Sequence, residues 1–249
     1  MAVETNVPPV ANPRLASTVL LVRDRAGLEV LMVVRTERAY FGSALVFPGG
    51  IVDPEDAAEA WLERVTGYEG MPAIERSLRI AGYRELYEET GLLLAGEAPS
   101  APAPAGAAFH DVVERSGARL DLSAMHPFAH WITPQTSPKR YDTHFRLCAA
   151  GTDAVAISDG LETVSVEWLR PADALAMGRS GERKVLFPTR LNLERLALSS
   201  SVDEAIEAAR ARTIVTVTPR LERRPEGLFI TAPEEAGYGP AEEFAGPAR

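Results

Sequence analysis

Glu85, Glu88 and Glu89 stand three and four residues apart, a spacing that puts all three carboxylates on one surface of an α-helix. Like charges so placed cost a bare helix a few tenths of a kcal/mol each, so the arrangement makes sense around a cation. Hard oxygen donors suit Mg²⁺ or Mn²⁺, and Mg²⁺ usually completes its shell with water and substrate phosphate, which implies a phosphate-bearing ligand. A Glu-rich helix taken alone is most often a solvated acidic face. The residues upstream of the helix argue against that plainer reading.

From Pro72 to Thr90 the chain is rich in helix formers, with Ile74, Leu78, Ala81 and Leu86 at helical spacing and Gly91 where a C-terminal cap belongs. Two aliphatic blocks, Ala16 to Arg23 and Leu28 to Arg35, flank Asp24-Arg25-Ala26-Gly27 and predict a hairpin. Leu45 to Phe47 is a third extended piece, and Pro48-Gly49-Gly50 forces a sharp bend after it. Later strands are expected over Phe128–Ile132, Thr143–Ala149, Thr163–Trp168 and Ile214–Val217. Helices are expected over Phe109–Ser116, Pro171–Met177, Pro188–Leu198 and Val202–Arg212, the last capped by Ser201 with Glu204. Gly96–Ala108, rich in Ala, Pro and Gly, reads as an exposed loop.

The turn and the helix together resemble the signature of the Nudix hydrolases, G-x5-E-x7-R-E-U-x-E-E-x-G-U with U aliphatic. Arg84-Glu85-Leu86-Tyr87-Glu88-Glu89-Thr90-Gly91-Leu92 fits its second half at every position. In the first half, counting from Gly50 puts Asp56 where Glu is expected, and about 20 extra residues separate it from Arg84. Glu75 competes with Asp56 for the role of supporting acid. The long signature is similar to that of the mammalian peroxisomal CoA diphosphatase branch. Phe47-Pro48-Gly49-Gly50-Ile51-Val52-Asp53, Trp131-Ile132-Thr133-Pro134 and Lys139-Arg140-Tyr141-Asp142-Thr143 carry the likeness, with Glu162 ahead of Trp168 and Pro171.

That resemblance implies an α/β/α sandwich with a mixed β-sheet and additional C-terminal helices. It implies a metal-dependent hydrolase cleaving a diphosphate linkage in a nucleoside-diphosphate-linked substrate such as CoA or acyl-CoA. NADH or ADP-ribose cleavage is the enzymatic alternative, and a non-catalytic nucleotide sensor the alternative from another class. Glu85, Glu88 and Glu89 would bind Mg²⁺ or Mn²⁺. Arg84 would orient Glu85, and Glu85 or Glu162 would take the proton of the attacking water. Arg35, Arg38, Gly49, Gly50 and Arg140 would contact substrate, although Tyr40 stands where CoA-cleaving relatives carry an Arg.

Composition fits this picture. The 249 residues, 46% hydrophobic and 24% charged, suffice for one principal domain. It is expected over 15–221 with insertions near 57–72 and 96–127, between a flexible start (1–14) and a loosely ordered tail (222–249). A net charge of −9 argues against nucleic acid or an anionic membrane as partner, so an anionic substrate must meet local Arg or bound metal. One cysteine, Cys148, rules out an internal disulfide and reads as a core residue in an apolar strand. The polar start, with no run near the roughly 20 apolar residues of a membrane span, and the absence of a Ser-Lys-Leu-like ending lead us to expect a cytoplasmic protein, with a homodimer as a further expectation. His110, His126, His130 and His144 show no ligand spacing along the chain and receive no role.

Overall fold

The computed structural model describes residues 11–36, 43–94, 107–158 and 163–247, with only the backbone of Arg35. β1 (Arg14–Asp24) and β2 (Leu28–Arg35) form the expected hairpin, with Val22 opposite Val30 and Asp24 opposite Leu28. Beyond that pairing the strands part. β2 takes β3 (Ala44–Val46) at Val33 and Val34, whereas the first half of β1 takes β4 (Gly49–Ile51), with Thr18 opposite Gly49 and Ala16 opposite Ile51. Phe47 and Pro48 carry the chain across the fork, and the Val19 amide donates to the Pro48 carbonyl at 2.9 Å. The Pro-Gly-Gly bend thus ends one strand and opens another, which the sequence pattern did not indicate.

The chain continues through β5 (Val65–Thr66), α1 (Ala73–Thr90), α2 (Phe109–Ser116), β6 (Leu120–Asp121), β7 (His126–Ile132), β8 (Tyr141–Ala149) and β9 (Thr163–Leu169). It ends with α3 (Pro171–Ser180), β10 (Lys184–Val185), α4 (Phe187–Leu196), α5 (Val202–Ala211), β11 (Thr216–Val217), β12 (Arg220–Arg224), β13 (Gly227–Thr231) and β14 (Glu242–Gly246). The main mixed sheet runs β10-β3-β2-β1-β8-β7-β11, with β4 on β1 and β9 on β2. β8 lies parallel to β1 from Arg14/Tyr141 to Val22/Ala149.

Alternation along β1 divides the core into two layers. Val19 and Leu21 meet Ile80, Tyr83 and Leu86 of α1, whereas Leu20 and Val22 face the layer of Leu191, Leu193 and Leu196 from α4 and Ala205 and Ala209 from α5. Helices on both faces of a mixed sheet make the α/β/α sandwich, and each leucine so buried contributes about 1.5–3 kcal/mol.

Two expectations change. Ile74, which shares the helical spacing of Leu78 and Ala81, is 53% exposed in the first turn of α1. In the central turns Leu78, Ile80, Ala81 and Tyr83 are all buried, because the sheet covers one side of the helix and α2 with the inserted segment covers another. The tail from 222, expected to be loosely ordered, forms the antiparallel sheet β12-β13-β14 over its described part. Ala232, Ala236 and Ala241 fit into the α4/α5 core layer, and the Tyr238 hydroxyl donates to Asn192 at 2.6 Å. Small residues supplied the apolar area that an Ala/Pro/Gly composition concealed. Most of the expected Gly96–Ala108 loop lies outside the described residues.

Candidate active site

α1 ends as its sequence dictates: Gly91 adopts φ +68° and its amide donates to the Tyr87 carbonyl at 2.8 Å. Its last two turns carry Glu85, Glu88 and Glu89 with no basic residue in the final turn. The negative end of the helix dipole therefore coincides with three carboxylates, an unfavourable arrangement unless a cation joins it.

Arg84 is the hub. Its Nε and Nη2 donate to the two oxygens of Asp56, both at 3.0 Å, and Nη2 also reaches the Ile51 carbonyl at 2.8 Å. Nη1 donates to Glu85 at 2.8 Å and Glu88 at 3.0 Å. Asp53 lies 3.6 Å from the same guanidinium. Asp56, 1% exposed, also accepts the Asp53 amide at 2.8 Å, which closes the short 3₁₀ turn Pro54–Ala57. Glu75 is engaged elsewhere, with Arg146 and Arg79. Of the two candidate acids, Asp56 is the one that meets Arg84.

β4 lies directly against these carboxylates. The Gly49 amide donates to Glu89 at 3.1 Å. A Cβ on Gly50 would fall 2.5 Å from the Glu85 carboxylate, and one on Gly49, at φ +155°, would fall 2.5 Å from the Ser17 carbonyl. The two glycines thus let the strand seat under the helix. The inserted residues after Asp56 continue in a second 3₁₀ turn, Glu59–Glu63, where the buried Trp61 donates to the Glu55 carbonyl and packs 5.5 Å from Phe109 of α2. The insertion near 57–72 therefore braces the loop that holds Asp56.

Burial pushes the Glu85 carboxyl up to about 7; Arg84 opposes the shift, and Glu89 and Glu88 add to it. Burial likewise raises Glu88, with Arg84 opposing. Burial works to lower Arg84, but Asp56, Glu85 and Glu88 outweigh it and hold the guanidinium charged. One guanidinium touching three carboxylates, with Glu89 alongside and hard oxygen donors throughout, is a set suited to a divalent cation.

The remaining predicted residues are spread more widely. Arg35 ends β2, its backbone opposite Thr163. Arg38 and Glu162 lie outside the described residues. Thr163, which follows Glu162 in the chain, donates to the Glu89 carbonyl at 3.2 Å, so the start of β9 adjoins the end of α1. Arg140 donates to the carbonyls of Thr133 at 3.1 Å and Ala11 at 2.8 Å, tying the β7–β8 turn to the start of β1. Its described contacts include none of the α1 carboxylates. Cys148 is buried in the α1-side core, and burial pushes its thiol up to about 12, as befits a packing residue. Among the described residues, no helix is long and apolar enough to cross a membrane.

No family profile matches the chain. The crystal structure of a Nudix hydrolase from Alicyclobacillus acidocaldarius superposes on it with a TM-score of 0.68 at 28% identity, covering 79% of this chain and 96% of that one. The fold is therefore that of a Nudix hydrolase, and the glycine turn and glutamate helix of this chain resemble the Nudix signature. Within curated relatives the chain is similar to acyl-coenzyme A diphosphatase NUDT19 of Gallus gallus, at 28% identity over 83% of this chain and 77% of that protein. The Homo sapiens counterpart is 25% identical over 72% of this chain and 63% of its own length, so the chain spans less than two thirds of that relative.

Proposed function

We propose that this protein hydrolyses the diphosphate linkage of CoA or an acyl-CoA, using Mg²⁺ or Mn²⁺ held by Glu85, Glu88 and Glu89. The observation that carries the reaction class is the cluster of those carboxylates at the C-terminal end of α1, with fewer positive than negative groups in contact. The substrate class is supported by the relatives named as acyl-coenzyme A diphosphatases.

In this reading the carboxylates bind the ion, and Arg84, fixed by Asp56 and the Ile51 carbonyl, holds Glu85 and Glu88 in place. The Gly49 amide orients Glu89. When bound, the ion neutralises diphosphate charge and makes water more acidic. Glu85 or Glu162 takes one proton from the attacking water as its oxygen bonds to phosphorus. The bridging P–O bond breaks and its electron pair leaves with the departing phosphate, giving phosphopantetheine and phosphoadenosine products. Gly50, Arg35, Arg38 and Arg140 are assigned to the substrate's phosphates.

The test is product analysis after incubation with Mg²⁺ or Mn²⁺ and, separately, CoA, acetyl-CoA, NADH and ADP-ribose, with Glu88→Gln as control. Cleavage of CoA or acetyl-CoA by the wild type and not by the control is expected. Preferential cleavage of NADH or ADP-ribose would replace the substrate class, and metal-dependent binding without product would replace the enzyme with a sensor.

A further inference from the structure

A second cluster lies on the sheet itself. In the antiparallel pair of β7 and β8, His130 stands directly opposite His144, and Ile132 opposite Asp142. Asp142 and His144 are two residues apart and share a face of β8, and directly opposed His130 shares it with them. The two imidazoles stack, with centroids 4.1 Å apart and planes at 21°. His130 Nε2 lies 2.5 Å from Asp142 Oδ1, and His144 Nε2 lies 3.4 Å from the same oxygen. On the far side of its ring, His130 Nδ1 sits 2.7 Å from the Thr216 hydroxyl on β11. One donor atom from each of His130, Asp142 and His144 falls within 4.8 Å of the others, and all three side chains are partly buried.

We propose that His130, Asp142 and His144 form a second metal site, which binds a divalent first-row transition ion of the zinc class and leaves a coordination position open. Two imidazole nitrogens and one carboxylate oxygen are a donor set typical of zinc or ferrous iron and unlike the all-oxygen set on α1. Ligand atoms around an ion at about 2.0–2.2 Å lie on the order of 3.3 Å from one another, the scale already present here. Thr216 supplies the outer contact: with Nδ1–H donating to its hydroxyl, His130 presents the Nε2 lone pair to the ion.

The site is distinct from the α1 carboxylates. His144 pairs with Ser17 and Ser17 with Gly50, so the cluster shares one cross-strand row with the glycine turn, two strands along from it. At about 4.8 Å per strand the backbone of His144 lies about 10 Å from that of Gly50, the residue against which the Glu85 carboxylate packs. Arg146, next on the same face of β8, turns to Glu75 at 3.0 Å and leaves the cluster's own ligands to one another. Because both histidines project from paired strands, little reorganisation is needed to bind the ion.

The experiment uses the full chain carrying Glu85→Gln, Glu88→Gln and Glu89→Gln, so that the α1 site is silent, titrated with Co²⁺ and followed by its visible d–d absorption. One Co²⁺ per chain, with bands moved by imidazole ligation and displaced by Zn²⁺, is the expected result. Adding His130→Asn or His144→Asn should weaken binding at least tenfold and abolish the rise in melting temperature that Zn²⁺ gives the parent. The melting temperature of each variant without metal shows whether it folds, and Asp142→Asn gives a third, nearly isosteric test. No d–d bands in the parent, or bands unchanged by all three substitutions, would overturn the site.

Discussion

Arg84 and Asp56 lie 28 residues apart in sequence and meet through two parallel hydrogen bonds of 3.0 Å, in a place where Asp56 is almost wholly removed from solvent. The pair ties the glycine turn to α1, because the same guanidinium holds the Ile51 carbonyl, Glu85 and Glu88. Removing Asp56 takes two charge-assisted hydrogen bonds from Arg84, about 1.5–3 kcal/mol each, although Glu85 and Glu88 still balance the guanidinium. Asp56→Ala should therefore lower the melting temperature markedly and weaken Mn²⁺ binding by about 10–100-fold. Glu75→Ala should leave Mn²⁺ binding nearly unchanged; equal losses from both substitutions in a Mn²⁺ titration would sink the assignment of Asp56.

Glu89 is nearly buried and takes the Gly49 amide at 3.1 Å, so Glu89→Gln retains the shape and one hydrogen-bond acceptor while removing a charge. Because that charge sits at the negative end of α1, the metal-free variant should melt no lower than the wild type. Turnover should fall on the order of 100-fold or more, with much of the loss in metal affinity. Calorimetric Mn²⁺ titration beside thermal melting separates the two effects; near-wild-type turnover would remove Glu89 from the site.

The signature helix was legible because its evidence is local: helical spacing, a capping glycine and three carboxylates are read within one short stretch. What was hidden depends on contacts between distant segments. The choice between Asp56 and Glu75 could not be made from spacing, since a packed insertion brings Asp56 back to Arg84 while Glu75 turns to Arg146. His130 and His144 lacked ligand spacing along the chain, yet strand register sets them face to face. The Pro-Gly-Gly bend marked a turn but not the fork between β1 and β2, and the C-terminal sheet was masked by a composition typical of loose tails.

Gly49 and Gly50 serve different needs, and substitution separates them. Gly49→Ala adds a Cβ at φ +155° against the Ser17 backbone, which cannot move without disturbing β1, so loss of stability is expected. The three atoms nearest the Cβ of Gly50→Ala all belong to the Glu85 carboxylate, the end of a side chain. That variant should fold with a melting temperature close to the wild type and bind Mn²⁺ at least tenfold more weakly, because Glu85 must rotate away. A Gly50→Ala protein with unchanged Mn²⁺ affinity would show that Glu85 is not a ligand in its present orientation.

The desolvated Glu85 carboxyl predicts how metal binding responds to pH. Its ordinary value of 4.5 rises to about 7, chiefly through burial, so the unfolded chain releases this proton before the folded one does. The stability gained from the protonated group is complete below the ordinary value and is lost as pH rises through about 7. The metal-free protein should accordingly become less stable across that interval, and Mg²⁺ should restore the loss. Since the ion displaces the proton, its apparent affinity should increase about tenfold per pH unit up to about 7 and then level off. Glu85→Gln should flatten both profiles. Melting curves and Mn²⁺ titrations at a series of pH values read the two together; a wild-type affinity that is already constant from pH 5.5 upward would show that Glu85 is ionised throughout and that burial does not govern it.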